Sequence, residues 1–186
     1  MEPTLAGPSG RTATRLMTEA NEIALLIEPH IPALRRYAFG LTQDHAAADD
    51  LVQDCLERAV GRWVLRRRDG DVGAWLFRIL HNLFIDGLRQ QRRRGRHEML
   101  ENHDGSATGG QEGALLGRDL ERCLKALSEE QRAVLLLIGV EGFSYERAAE
   151  VLGIPIGTVM SRLSRAREHF RRLLEGERPQ VLRRVK

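Results

Sequence analysis

Lysine is almost missing from this chain. Lys125 and Lys186 are the only two, and arginine carries the rest of the positive charge. Arginine's planar fork suits phosphates and guanine edges. A GC-rich coding bias would account for the ratio equally well, but not for the way the arginines cluster. Cysteine is scarce too. Cys55 and Cys123 stand alone, with no CxxC pair and no histidine at metal-ligand spacing. That argues against a structural zinc or a disulfide framework and for a reducing compartment. Aromatic residues make up only 5% of the chain, so its cores must be Leu, Val, Ile and Ala, which suits helix packing. No apolar run approaches the roughly 18 residues of a membrane span. Arg11 and Arg15 near the N-terminus have no apolar stretch behind them and no cleavage signature. A secretory signal is therefore not expected. The expectation is a cytoplasmic protein with no membrane partner.

What is present is charge in blocks. The 186 residues carry a formal net charge of only +3, but it is unevenly placed. Arg62 to His97 holds ten arginines against three acids, and Pro155 to Lys186 holds nine basic residues against three acids. Leu41 to Glu57 holds five acids and no Lys or Arg. Two basic zones and one acidic zone point to a nucleic-acid partner and a separate protein partner.

Period-two alternation is absent, while helical spacing recurs. Ile31, Leu34, Ala38 and Leu41 share one face. Ala47, Leu51, Cys55 and Ala59 share another, with Asp44 placed to cap that helix. Trp75, Leu76, Ile79, Leu80, Leu83 and Phe84 stripe a third, which runs on into Arg92-Arg93-Arg94. Leu120, Cys123, Leu124 and Leu127 mark a further helix. Ser128-Glu129-Glu130-Gln131 is a capping box for the apolar run Val134 to Ile138. The fold class is therefore all-α. Glycines and acids between 96 and 117 read as a flexible linker. The chain divides into a flexible tail (1–20), a helical module (21–95), the linker (96–117), a second helical module (118–176) and a basic tail (177–186).

The second module carries the sharper motif. Ser144 can cap a helix from Tyr145 to Leu152, Gly153 ends it, and Gly157-Thr158 opens another. Ala148 and Ala149 are small enough for two helices to cross closely, as in a helix-turn-helix. Val159, Leu163 and Ala166 fall inward. Met160, Ser161, Ser164, Arg165 and Arg171 fall outward, where a basic rod would fit a major groove. Arg162 can read DNA or pair on the helix surface. In the first module, Asp49, Asp50, Gln53 and Asp54, with Leu51, form an acidic helix face. Such a face suits docking on a basic protein surface, solvation alone, or an intramolecular clasp on a basic zone. Arg78, His81, Asn82, Asp86 and Arg89 point outward from the Trp75 stripe beside Arg92 and Arg93. Polar side chains near aromatics and cations suit single-stranded DNA.

Asp50-Leu-Val-Gln-Asp54, then Trp75-Leu-Phe-Arg-Ile-Leu-His-Asn-Leu-Phe-Ile-Asp86 with trailing arginines, then Gly157-Thr-Val-Met-Ser-Arg-Leu-Ser-Arg-Ala-Arg167, together resemble bacterial RNA polymerase sigma factors of the extracytoplasmic-function branch. The resemblance spans about residues 27–95 and 118–174. It implies a sigma region 2 bundle and a sigma region 4 helix-turn-helix. Asp49, Asp50, Leu51, Gln53 and Asp54 would dock on core RNA polymerase. Arg78, His81, Asn82, Asp86, Arg89, Arg92 and Arg93 would meet the −10 promoter element and help melt it. Thr158, Met160, Ser161, Arg162, Ser164 and Arg165 would meet the −35 element. Met160 departs from the family pattern, which usually has a basic residue there, so one DNA contact is lost. Many relatives are held inactive by an anti-sigma factor, and such a partner is open to this chain, which is expected to be a monomer when free.

Two other classes compete. A free-standing regulator would use only the helix-turn-helix and bind duplex DNA tightly without polymerase. A nucleic-acid enzyme would need His81, Asn82 and Asp86 as its cluster, but no carboxylate pair or nucleophile–base pair accompanies them. No catalytic residues, metal or cofactor are expected.

Overall fold

The computed structural model describes residues 21–66, 70–94 and 120–176, and these residues form helices without strands. The expected N-terminal tail, the linker and the basic C-terminal tail lie outside the described residues. Helical residues 21–27 lead through a 3-10 turn, Glu28–His30, into α1 (Ile31–Thr42). Then come α2 (His45–Gly61), a second 3-10 turn at Trp63–Leu65, and α3 (Val72–Arg94). Helical residues 120–126 precede α4 (Glu129–Gly139), α5 (Tyr145–Leu152) and α6 (Ile156–Gly176).

The helix boundaries are written in polar side chains. Asp44 lies in extended backbone and accepts the Ala47 N–H at 2.8 Å. Asp71 accepts the Ala74 N–H at 3.1 Å and opens α3. Ser128 and Gln131 form a reciprocal capping box on α4, and Ser144 accepts from Arg147 N at the start of α5. Each cap satisfies backbone donors that have no partner inside the helix. Gly153, at φ 64°, ends α5 in the left-handed region that glycine enters without strain.

In the first module α1, α2 and α3 pack together; in the second, α4, α5 and α6 do. Leu34, Tyr37, Ala38 and Leu41 are buried from α1, and Leu76, Phe77, Ile79, Leu80 and Phe84 from α3. The face of α2 differs from the expected one. Ala48 and Val52 are buried together with Cys55 and Ala59, whereas Ala47 is exposed and Leu51 half-buried. A stripe at three- and four-residue spacing fits Ala48-Val52-Cys55-Ala59 as well as the set one residue earlier. The β-branched Val52 takes the inward position, and the longer Leu51 lies at the edge, half-buried.

The two modules also pack on each other. α3 lies against α5 and α1 against α4, and one hydrophobic core runs through both modules. Gly40 of α1 is the point of closest approach. A Cβ there would lie 2.6 Å from Leu136 Cδ1 of α4. Phe77 of α3 meets Phe143 at 4.8 Å between ring centroids, tilted by 60°. Replacing Asp44 by alanine orphans the first-turn donors of α2. The expected loss is about 1 kcal/mol, seen in thermal unfolding as a melting point about 2–4 °C lower, with helix content unchanged.

Candidate functional site

Three surfaces follow from how the helices are rotated. On α2, Asp49, Asp50, Gln53 and Asp54 are exposed. Leu51, half-buried, turns into a groove of about 690 Å³ whose lining includes Leu41, Leu83, Phe84 and Leu88 with Asp50, Asp54, Glu129 and Arg132. An apolar floor with an acidic rim suits an amphipathic helix bearing basic residues. Asp49 is 3.5 Å from Arg35, and both side chains are largely exposed. Such a pair contributes little and is free to exchange.

On α3, Arg78, Asn82, Asp86, Arg89, Arg92 and Arg93 are exposed. Arg89 pairs with Asp86 at 3.4 Å, and Arg92 with Glu129 of α4 at 2.8 Å. His81 does not share that surface. It is only 8% exposed, and its Nδ1 is 3.1 Å from the Tyr37 hydroxyl, which is buried with it. The outward expectation for His81 is thereby corrected. A residue four after Phe77 takes the same face as Phe77, and the second module covers that face. Burial, helped by the nearby charge of Arg162, holds the His81 pKa down at about 4.

The sequence reading passed over the turn before α3. Trp63 meets Trp75 edge-on at 5.9 Å, and the Arg66 guanidinium lies 4.7 Å from the Trp63 ring. Val64 and Leu65 are 95% and 82% exposed. Leu65, Arg66, Trp75 and Arg78, with Glu150 of α5, are among the residues lining a cleft of about 510 Å³. Its signal in the sequence was a tryptophan followed by two apolar residues and three arginines, immediately ahead of the Trp75 helix.

On α6, Met160, Ser161, Ser164 and Arg165 are exposed in one patch, while Val159, Leu163 and Ala166 are buried beneath them. Arg165 Nε donates to the Ser161 carbonyl at 3.2 Å, which holds the guanidinium along the helix. Thr158 is half-buried. Arg162 is half-buried and pairs with Glu130 at 3.1 Å, turned away from that patch. Among the described residues no cluster of His, Cys, Asp and Glu could hold a metal, and no helix is long and apolar enough to cross a membrane. Burial pushes the Cys55 thiol up to about 12, which leaves it an unreactive core group.

Comparison with known proteins gives these surfaces a context. Residues 27–81 match the family model for the Sigma2 domain of PhyR, and residues 117–170 match Sigma-70, region 4. The ECF RNA polymerase sigma factor EcfG of Rhodopseudomonas palustris is 38% identical over 150 residues, which is 77% of this chain and 80% of that protein. The ECF RNA polymerase sigma factor SigL of Mycobacterium tuberculosis is 36% identical, over 89% of this chain and 96% of that one. Among solved structures, the sigma factor RpoE in complex with the anti-sigma factor NepR from Bartonella quintana aligns with a TM-score of 0.74 at 37% identity. That alignment covers 82% of this chain and 96% of that chain. CnrH in complex with the cytosolic domain of CnrY aligns with a TM-score of 0.67 at 26% identity, over 86% and 91%.

The His81 environment sets a pH dependence. Its folded-state pKa, about 4, lies below the ordinary histidine value of 6.5. Between those values the unfolded chain takes up a proton that the folded chain refuses. The stability tied to the neutral ring is thus complete above about pH 6.5 and is lost as pH falls toward about 4. Between pH 7 and 4.5 the wild type should lose about 2–3 kcal/mol more than His81→Gln, measured by urea unfolding. Equal losses would place the ring in contact with water.

Proposed function

The chain belongs to the ECF family of RNA polymerase sigma factors, alternative sigma factors that direct promoter-specific transcription, and from that premise we propose which of its surfaces performs each step. The observation that carries the proposal is the rotation of three helices. An acid-rimmed apolar groove on α2, an exposed polar and basic row on α3, and an exposed patch on α6 each face solvent.

Core polymerase docks on α2. Asp49, Asp50, Gln53 and Asp54 supply charge complementarity to a basic helix, and Leu51 supplies the apolar contact. The α3 row of Arg78, Asn82, Asp86, Arg89, Arg92 and Arg93 engages the −10 element. His81 supports that row from the core and does not touch DNA. Melting needs unpaired bases to be captured, because unstacking costs a few kcal/mol per step and must be offset by new contacts. The cleft beside Trp75 and Arg78 offers an aromatic wall and cations for one extruded base. On α6, Met160, Ser161, Ser164 and Arg165 enter the major groove of the −35 element. Thr158 lies at the helix start, where backbone N–H groups meet phosphate. Arg162 serves the helix surface through Glu130. The chain carries out no catalysis itself. One structural neighbour, the sigma factor RpoE, was solved in complex with the anti-sigma factor NepR, which supports an anti-sigma factor as a further partner here.

A second reading rests on the match of residues 27–81 to the Sigma2 domain of PhyR. A PhyR from Bartonella quintana, 22% identical to this chain, is described as an anti-anti-sigma factor complexed with NepR. A chain of that kind would occupy an anti-sigma factor and leave DNA alone. The exposed arginines of α3 and α6 favour the first reading. Run-off transcription with core polymerase on genomic DNA separates the two: defined start sites support the sigma reading, and no transcript with intact anti-sigma binding supports the second.

Two substitutions test the surfaces. Asp50→Lys combined with Asp54→Lys reverses the groove rim and should abolish co-purification with core polymerase; normal recovery of core would remove α2 from the docking role. Arg165→Ala should weaken use of a −35-dependent promoter about 5- to 150-fold, the equivalent of roughly 1–3 kcal/mol of DNA contact. An unchanged transcript level would remove that residue from the reading patch.

A further inference from the structure

The outward face of α6 has two unlike flanks. Each residue turns about 100° round a helix, which sets Ser161 on the crest opposite the buried Val159, Leu163 and Ala166. Arg165 stands on one side of that crest, its guanidinium held along the helix by the Ser161 carbonyl at 3.2 Å. Met160 and, one turn earlier, Ile156 stand on the other side, 50% and 39% exposed. Met160 borders a recess of about 480 Å³ between the start of α5 and α6, with Tyr145, Leu163, Ser164 and Arg167 among its lining. Tyr145 is half-buried and Leu163 buried, so the floor of the recess is apolar, while Arg167 and Arg171 are exposed at its rim. Glu168 shares that rim and is paired with Arg171 at 2.9 Å.

We propose that Met160 reads the C5-methyl group of a thymine in the −35 element, and so makes this chain select an A·T pair at that position. The inference rests on the sigma reading above and deepens it by naming what one side chain recognises. In the major groove the base edges present donors and acceptors, and thymine alone of the four bases adds an apolar group. Met160 is the large apolar side chain of the exposed α6 patch, and Ser161 and Ser164 beside it are short enough to let a base edge come close. Toward a phosphate or a guanine edge, Met160 has no donor to offer. Toward a thymine methyl, it covers apolar area that the fold leaves open, and its unbranched thioether adapts to the shape it meets. Arg167 and Arg171 lie on the same flank, placed for the phosphates beside that thymine. A solitary exposed apolar side chain needs no explanation on most surfaces. Met160 differs because it stands in the base-reading patch with Ile156 on the same flank. Along α6, Met160 and Arg165 are separated by a rise of about 7.5 Å, or about two base steps. The two flanks thus read neighbouring base pairs, Arg165 suited to guanine and Met160 to thymine.

Deoxyuridine is the probe, because it lacks only that methyl and keeps every hydrogen-bonding group of thymine. Run-off transcription with the full chain and core polymerase first fixes a −35 element. Each of its thymines, on either strand, is then replaced singly by deoxyuridine, and initial transcription is measured at limiting amounts of the chain. At one position the wild type should lose about 3- to 5-fold, the scale of one buried methyl group. Met160→Ala and Met160→Lys should transcribe equally from the thymine and deoxyuridine templates at that position. Met160→Leu, which keeps the apolar volume, should keep the difference. Met160 lies outside the buried row of α6, so these changes leave the core of the second module as it is. Arg165→Ala should weaken both templates alike and leave their ratio as in the wild type. A −35 element without an A·T pair, a wild type indifferent to deoxyuridine at every thymine, or a loss that Met160→Ala shares in full would each overturn the inference and leave the sigma reading standing. No transcript from the all-thymine template would overturn the sigma reading, and this inference with it.

Discussion

Helix α3 has a wider apolar arc than one neighbouring layer can cover, and the arrangement of the other helices answers that demand. Leu76, Ile79, Leu80 and Phe84 fill the core made with α1 and α2, while Phe77 and His81 continue the buried surface round the helix. A narrow stripe would have left the other face to solvent. Here the remaining flank is covered by Phe143, Arg147 and the rest of the second module. The same helix carries the exposed row proposed to meet the −10 element, so the residues that bind and the residues that are covered lie one position apart. Phe77 and Arg78 are neighbours in sequence, yet one is buried and the other exposed.

Much of this was legible residue by residue. The caps at Asp44, Ser128 and Ser144, the left-handed Gly153, and the inward Val159-Leu163-Ala166 row are local features, fixed by side chains within four positions of each other. They were read from spacing alone and stand in the structure. What failed was information carried by distant residues. His81 looked outward because a polar residue beside Asn82 and Arg78 is ordinarily solvated. Its burial depends on Tyr37, 44 positions earlier in sequence. The face of α2 was displaced by one because Ala47 and Ala48 are equivalent until the partner helix is known. The turn at Trp63–Leu65 was missed because a three-residue 3-10 segment has no period to detect. The packing of one module on the other has no local signature at all.

The polarity of the seam bears on what it can do. A permanent interface would be dry and apolar, as obligate interfaces are. This one joins a shared apolar core, with Phe77 on Phe143 and Gly40 against Leu136, to ion pairs and a backbone hydrogen bond from Arg132. Arg147 Nε is buried there without a hydrogen-bond partner, which leaves a desolvation cost that opening would relieve. Its pairs bring charges of opposite sign from the two modules, and each charge is well solvated once the modules part. The ion pairs of the seam thus fix its register more than they add net energy, because desolvation offsets much of the Coulomb gain.

That balance makes the exposed surfaces interdependent. The groove on α2 has Glu129 and Arg132 of α4 among its lining, so the second module shapes the proposed docking surface as well as packing on α3. A helix entering from a large basic partner would press on both sides of that groove. It gains contacts with Asp50, Leu51 and Asp54 only by pushing against Glu129 and Arg132. Were the modules to part, a difference in how well it fits the two arrangements would shift their populations by no more than that difference. Docking on one helix can thus be felt at another without a relay of moving side chains, since α2 and α4 share the walls of one groove and α4 travels with α5 and α6.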